Sequence, residues 1–444
     1  MSEQQEKGTN WVAVITMMFI YGMISFVTNL AAPMGNVWKY QPGIDGSNML
    51  GMMGNMMNFL AYVFMGIPAG RMLTNCGYKK TAMIGIATGF VGVLIQFLSG
   101  KVPVAADGNA VFPFIIYLAG AFVCGFSVCM LNMVVNPMLN LLGGGGNRGN
   151  QLNMIGTTFN SLAGTATPVL VLSLIGEVSN TTKVADVNLV MYIALTVFAV
   201  AFAILAFIPI ANPEQGTTSE KIPVLSPLKF RHCLLGVIAI FMYVGVEVGI
   251  PGTMGLWLPA ANGPLVKAGI ANAATVTTGC VAVYWLLMLV GRTIGAFIGG
   301  KVSSRILMVV TTVTAISLLV VGVLLPETVT VSMPVIDVAH LKCWMATVPM
   351  TALLFALCGL CTSIMWPSTF NLATEKLGKY TAAASGLFMV MVVGGGVLPL
   401  IQNGIADKAG FMIAYIVPIL GLAYMFVYSA FLSKPPADIE ERVK

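Results

Sequence analysis

The sequence predicts an all-α membrane protein, with twelve transmembrane helices in two six-helix bundles that repeat one another. Composition is the first observation behind this. The 444 residues are 57% hydrophobic and 9% charged, whereas a soluble domain carries about 25% charged residues. Such a chain has too little polar surface to face water on all sides. Run length is the second. Apolar runs of about 20 residues match the hydrocarbon core of a bilayer, where helices pair their own backbone groups. Repetition is the third. Gly70 and Gly300, Cys124 and Cys358, and Pro168 and Pro399 each stand about 230 residues apart, and parallel repeats of this kind build transporters that rock about a central site.

The first span, 11–34, follows the polar stretch MSEQQEKGTN. No small-residue cleavage site comes after it, so it reads as a retained helix rather than a removed signal. The second, 49–72, is rich in methionine, which packs adaptably against small residues. It ends in the basic loop GRMLTNCGYKK. Spans 82–98 and 112–142 follow, and then a glycine run, Gly143 to Gly146. That run follows no strand, so it reads as a flexible hinge and not as a dinucleotide loop. Spans 152–176 and 187–210 complete the first bundle, 1–210. The polar stretch 211–232, with three prolines, reads as a cytoplasmic linker. The second bundle, 233–444, holds spans 233–259, 273–300, 306–325, 346–371, 383–403 and 411–432.

An even number of spans puts both termini on one side. Fifteen Lys and Arg residues fall on that side and six on the other, so the positive-inside bias puts both ends in the cytoplasm. The formal charge of +6 is scattered singly through loops and does not suggest nucleic acid. Cys124, Cys129, Cys233, Cys280, Cys358 and Cys361 lie in or beside apolar spans without zinc-ligand spacing, and read as buried thiols. His232 at a span edge and His340 in an outer loop have no catalytic partner nearby in sequence.

GRMLTNCGYKK resembles the signature loop between the second and third spans of the major facilitator superfamily. Gly70, Gly77, Lys79 and Lys80 match it, and Thr74 stands where an acid is usual. Seven further stretches follow in order: TNLAAP, NMVVNP, FNSLAG, YVGVEVGI, GRTIG, SIMWPSTFNLATEKLG, and GGGVLP followed by GIAD. Together they resemble the landmarks of the fucose–galactose–glucose cation-symporter family of bacterial sugar transporters, over essentially the whole chain. The resemblance implies the major facilitator fold and import of a hexose, deoxyhexose or related sugar by cation-coupled alternating access. It implies the cytoplasmic (inner) membrane, a monomer, and no cofactor beyond a co-transported H+ or Na+. It sets Gly70, Lys79 and Lys80 at a gate.

In span 4, Asn132, Asn136 and Asn140 are spaced by four and share a helix face. Carboxamides donate and accept, which suits sugar hydroxyls, and Pro137 frees an acceptor carbonyl at Met133. The same stripe also suits bonds between helices. Asn29, Asn55, Asn58, Thr157 and Asn160 add polar groups from spans 1, 2 and 5. Thr157 stands where the family has glutamine. Tyr243 and Glu247 share a face of span 7, and Trp366 is the foremost of three tryptophans, with Trp257 and Trp285, suited to stack on a sugar ring.

Glu247 and Arg292 are the two charges set deep in apolar spans, where a charge is costly and usually functional. Counted from the cytoplasmic ends of their spans, Glu247 lies about 21 Å deep and Arg292 about 12 Å. That difference argues against a close pair and for Arg292 as an anchor of the cytoplasmic gate, while two long side chains and a helix tilt leave a Glu247–Arg292 pair as the alternative. An acid in apolar surroundings suits proton pickup. The family's proton-coupled fucose carriers resemble one another in two acids, at positions held here by Ala32 and Asn132. Neither titrates, which leaves Glu247 as the ion-coupling group. An uncoupled sugar facilitator and a transporter-like sugar receptor are the alternatives. No nucleophile–base pair or metal-ligand set suggests an enzyme.

Overall fold

A computed structural model of the chain describes residues 11–103, 108–142, 146–176, 178, 182–208, 223–270, 272–298, 302–337, 342–377, 380–436 and 439. Most of the 211–232 linker, Gly143 to Gly145 and His340 lie outside the described residues, as do the side chains of Ala32, Thr74, Pro137 and Asn140.

The first half contains α1 (Trp11–Lys39), the single turn α2 (Asn48–Gly51), α3 (Met53–Ser99), α4 (Val111–Leu142), α5 (Gly146–Ile175) and α6 (Asn188–Phe207). Expected spans 2 and 3 form one helical run, α3, interrupted at Gly77, where φ is 78° and ψ 173°. A side chain resists that φ, so glycine is the residue that lets the chain change direction there. The second half contains α7 (Arg231–Trp257), the turn α8 (Pro264–Lys267), α9 (Ala273–Ile298) and α10 (Ser304–Leu324). It continues with α11 (Met350–Thr362), α12 (Met365–Thr374), α13 (Thr381–Met391), α14 (Gly394–Ala409), the turn α15 (Phe411–Ala414) and α16 (Ile416–Val427). Among the described residues, eleven helices are long and apolar enough to cross a membrane. A further helical stretch, 53–76, carries Asn55, Asn58 and Arg71 and stands at the place of the expected second span.

Packing repeats between the halves. The first and fifth spans pair as α1 on α5, and the seventh and eleventh pair as α7 on α14. The third and sixth pair as α3 on α6, matched by α10 on α16. Across the halves, α5 lies on α9, and α3 lies on α13 and α14.

Two expectations change in the second half. Spans 10 and 11 are each broken, at Ser363–Ile364 between α11 and α12 and at Val392–Val393 between α13 and α14. The loop between spans 9 and 10 is a β-hairpin, β1 (Thr330–Asp337) paired antiparallel with β2 (Lys342–Pro349). Span 10 therefore begins at Met350 and not at 346. Met333, Val335, Ala346 and Val348 are buried while Ser332, Pro334, Met345 and Thr347 are exposed, the period-two pattern of a strand with one covered face. The hairpin packs on α9. The six thiols expected inside are buried, and Cys76 and Cys343 are exposed.

Candidate functional site

The two halves enclose a cavity of about 1330 Å³. Asn29, Asn55, Asn132, Asn136, Thr157, Asn160, Tyr243, Glu247, Arg292 and Trp366 all line it. Helical spacing explains the convergence. Asn132 and Asn136 repeat every turn of α4, Thr157 and Asn160 nearly so on α5, and Tyr243 and Glu247 on α7.

The span 4 stripe is tied to aromatic hydroxyls. Asn132 Nδ2 donates to the Tyr62 hydroxyl at 2.9 Å, and the Tyr21 hydroxyl donates to Asn136 Oδ1. Asn136 Nδ2 donates to the Asn132 carbonyl at 3.0 Å. These bonds fix the carboxamides as rigid groups on the cavity wall. On α1, Asn29 Nδ2 donates to the Ser25 carbonyl at 2.9 Å and lies within 3.1 Å of its hydroxyl. Gly164 of α5 permits this close approach, since a Cβ there would meet Asn29 Nδ2 at 3.1 Å.

Glu247 and Arg292 form an ion pair, Oε1 to Nη2, at 3.4 Å. The depth count argued against this. The long, forked arginine side chain spans the difference between the two backbones. Arg292 Nη1 also donates to Ser161 Oγ at 3.0 Å and reaches the Thr157 carbonyl at 3.5 Å. One guanidinium from α9 thus joins α7 in its own half to α5 in the other. The Glu247 side chain is 16% exposed and that of Arg292 27%, so the pair borders the cavity rather than lying sealed in packing.

Prolines shape the same region. Pro251 withdraws the amide that would bond the Glu247 carbonyl, and the Tyr284 hydroxyl donates to that carbonyl at 3.2 Å instead. Pro399 frees the Gly395 carbonyl of α14, and Asn55 Nδ2 from α3 takes it at 2.8 Å. Asn55 therefore bonds across the two halves while lining the cavity. Tyr243 and Trp366 place their rings 6.0 Å apart on the α7 side, and Trp285 also lines the cavity, whereas Trp257 is buried against Phe355.

Three expected residues lie elsewhere. Asn58 faces a separate small cavity of about 10 Å³ between α1, α3 and α4, beside Val27, Tyr117 and Cys124. Lys79 Nζ donates to the carbonyls of Ala206 and Ile208 at 3.0 and 2.8 Å, capping the end of α6 within its own half. Lys80 is exposed. Gly70 does line the cavity, beside Met133. Sequence reasoning passed over Tyr21, Ser25, Tyr62, Lys39 and Asn371, which all line it. A signal existed for the first three. Tyr21, Ser25 and Asn29 repeat every four residues, and Asn55 and Tyr62 are seven apart.

A family model described as Major Facilitator Superfamily matches residues 12–339. The chain belongs to that superfamily. It is a multi-pass membrane transporter and not an enzyme. It is 27% identical to the glucose/galactose transporter of Brucella abortus (strain 9-941) over 441 residues, 98% of this chain and 96% of the relative. It is 23% identical to the L-fucose-proton symporter of Escherichia coli K12 over 405 residues, 85% and 83% of the two chains. The crystal structure of the E. coli fucose:proton symporter FucP is similar with a TM-score of 0.65 at 18% identity, covering 96% of this chain and 100% of that one. Major facilitator fold and twelve-helix plan agree with the sequence expectation.

Proposed function

We propose that this transporter imports a monosaccharide, a hexose or deoxyhexose, by proton-coupled alternating access across the bacterial cytoplasmic membrane, with both termini inside. The glucose/galactose and fucose relatives support the substrate class, and the carboxamide-lined cavity suits it chemically. The sugar's hydroxyls bond Asn29, Asn132, Asn136 and Asn160, and Trp366 with Tyr243 covers an apolar ring face.

The observation that carries the coupling is the Glu247–Arg292 pair at 3.4 Å, bonded across the halves to Ser161. A proton on Glu247 removes the carboxylate charge that holds Arg292, and so loosens a link between α9 and α5. The guanidinium already beside Glu247 repels a second fixed cation, which favours H+ over Na+ as the coupling ion. The fucose-proton relative agrees with this choice.

Uptake of labelled sugar into proteoliposomes tests both parts. Accumulation is expected under an inward proton gradient and is lost with a protonophore. Accumulation under a sodium gradient alone overturns the ion. Equilibration without accumulation under either gradient makes the protein an uncoupled facilitator.

A further inference from the structure

The end of the bundle away from Trp11, the start of α1, carries a contact that the coupling pair does not use. Asp407 closes α14 in the second half and reaches the start of α2 in the first. Its Oδ1 accepts from Asn48 N at 3.0 Å and Asn48 Nδ2 at 2.6 Å. Its Oδ2 accepts from Met49 N and Ser47 Oγ, both at 2.9 Å. Asn48 Oδ1 in turn accepts from Lys39 Nζ at 2.6 Å. The Asn48 carboxamide thus turns its acceptor to an ammonium and its donor to a carboxylate, so its orientation is fixed from both sides. Lys39 is 7% exposed and lines the cavity at that end. Bonds to an ionised partner are roughly twice as strong as neutral ones.

Asp407 differs from a packing residue on its own helix. Asn403, one turn earlier, is fully buried and bonds Thr253 and Pro399 inside its own half. Asp407 is exposed, and its four bonds all cross to the other half. Water can replace those bonds when the halves part, which a reversible contact needs and a buried anchor forbids. The rest of the seam is fitted for close approach. A Cβ on Gly396 would meet Met56 Cα at 2.9 Å and Met56 O at 3.0 Å.

We propose that Asp407, through Asn48 and Lys39, latches α14 to the α2–α3 corner and closes the cavity's mouth at that end of the bundle. That mouth opens when the latch breaks. The proposal rests on the alternating-access reading, but its test uses no sugar, so it stands or falls apart from the substrate and the ion.

The full-length transporter is prepared with the exposed Cys76 and Cys343 changed to serine. Thr278→Cys lines the cavity one turn and a half into α9 from the Asp407 face, and Ser385→Cys lines it on the other side, in α13. A membrane-impermeant maleimide is applied to each face in turn. With Asp407→Asn, labelling at 278 from the Asp407 face rises about tenfold, and labelling at 385 from the opposite face falls, as expected for a shifted two-state population. Asp407→Glu restores most of the parent rate. Gly396→Ala wedges the same seam without touching the carboxylate, and moves each rate the way Asp407→Asn does. It decides the matter if Asp407→Asn does not fold. Parent labelling rates in whichever of the two variants folds overturn the latch, as does an increase at both sites from both faces.

Discussion

Arg292 owes its place to geometry that few side chains can supply. Its two terminal nitrogens bond Glu247 of α7 and Ser161 of α5 at the same time, one from each half. A lysine concentrates the same charge on a single nitrogen and cannot present two donors at the separation of the guanidinium fork. Arg292→Lys is expected to lower the maximal uptake rate about tenfold while changing the half-saturating sugar concentration less than twofold, because the change strikes the moving link and not the sugar's bonds. Initial-rate uptake against sugar concentration checks this. The carboxamides divide in a way the sequence alone does not reveal. Asn136 lines the main cavity, and its alanine variant is expected to raise half-saturation about tenfold, the effect of one lost hydrogen bond or more. Asn58 lies in the small cavity between α1, α3 and α4. Asn58→Ala is expected to leave half-saturation unchanged and to lower the melting temperature of the purified protein. An equal effect of both variants on half-saturation would refute the division.

At the scale of elements, breaks in the helices do more than bend them. Pro251 and Pro399 each free a carbonyl, and each carbonyl finds a side-chain donor from another helix, Tyr284 and Asn55. Pro399 and Asn55 stood out in the sequence, whereas Tyr284 and the pairings did not. A freed carbonyl seeks whichever donor tertiary packing brings near, and sequence spacing carries no information on that. The glycine run before Pro399 has a similar history. Gly394 admits the backbone of α7, since a Cβ there would lie 1.9 Å from the Phe241 carbonyl oxygen. That contact is with backbone and cannot give way by a rotamer change. Gly394→Ala is expected to cost about 1–3 kcal/mol, the range for overpacking a tight interior, and to show as a lower melting temperature with less folded protein in detergent. A variant as stable as the parent removes this account of the triplet. The β-hairpin escaped sequence reading because it lies between two apolar spans, with β2 running straight into α11. Its alternation of Met333 and Val335 with Ser332 and Pro334 was nevertheless present.

At the scale of the whole molecule, the sequence carries the twelve-helix plan because membrane burial demands long apolar runs, whatever else the chain does. The repeat landmarks Pro168 and Pro399 lie inside the matching helices α5 and α14. Depth along separate helices was legible too, yet it misjudged Glu247 and Arg292, because side-chain reach and helix tilt decide contact at that range. Their contact changes what coupling means here. An isolated carboxylate would only carry a proton, whereas this one also holds the arginine that ties α9 to α5. In the proposed mechanism, protonation of Glu247 reports directly to a seam between the halves. Glu247→Gln mimics the protonated acid permanently and keeps an oxygen for the sugar side. It is expected to abolish proton-driven accumulation while sugar exchange between the two sides of a vesicle continues at a comparable rate. Counterflow and gradient-driven uptake, measured on the same preparation, separate the two. If the glutamine variant accumulates sugar as the parent does, the proton passes elsewhere and the pair serves the seam alone.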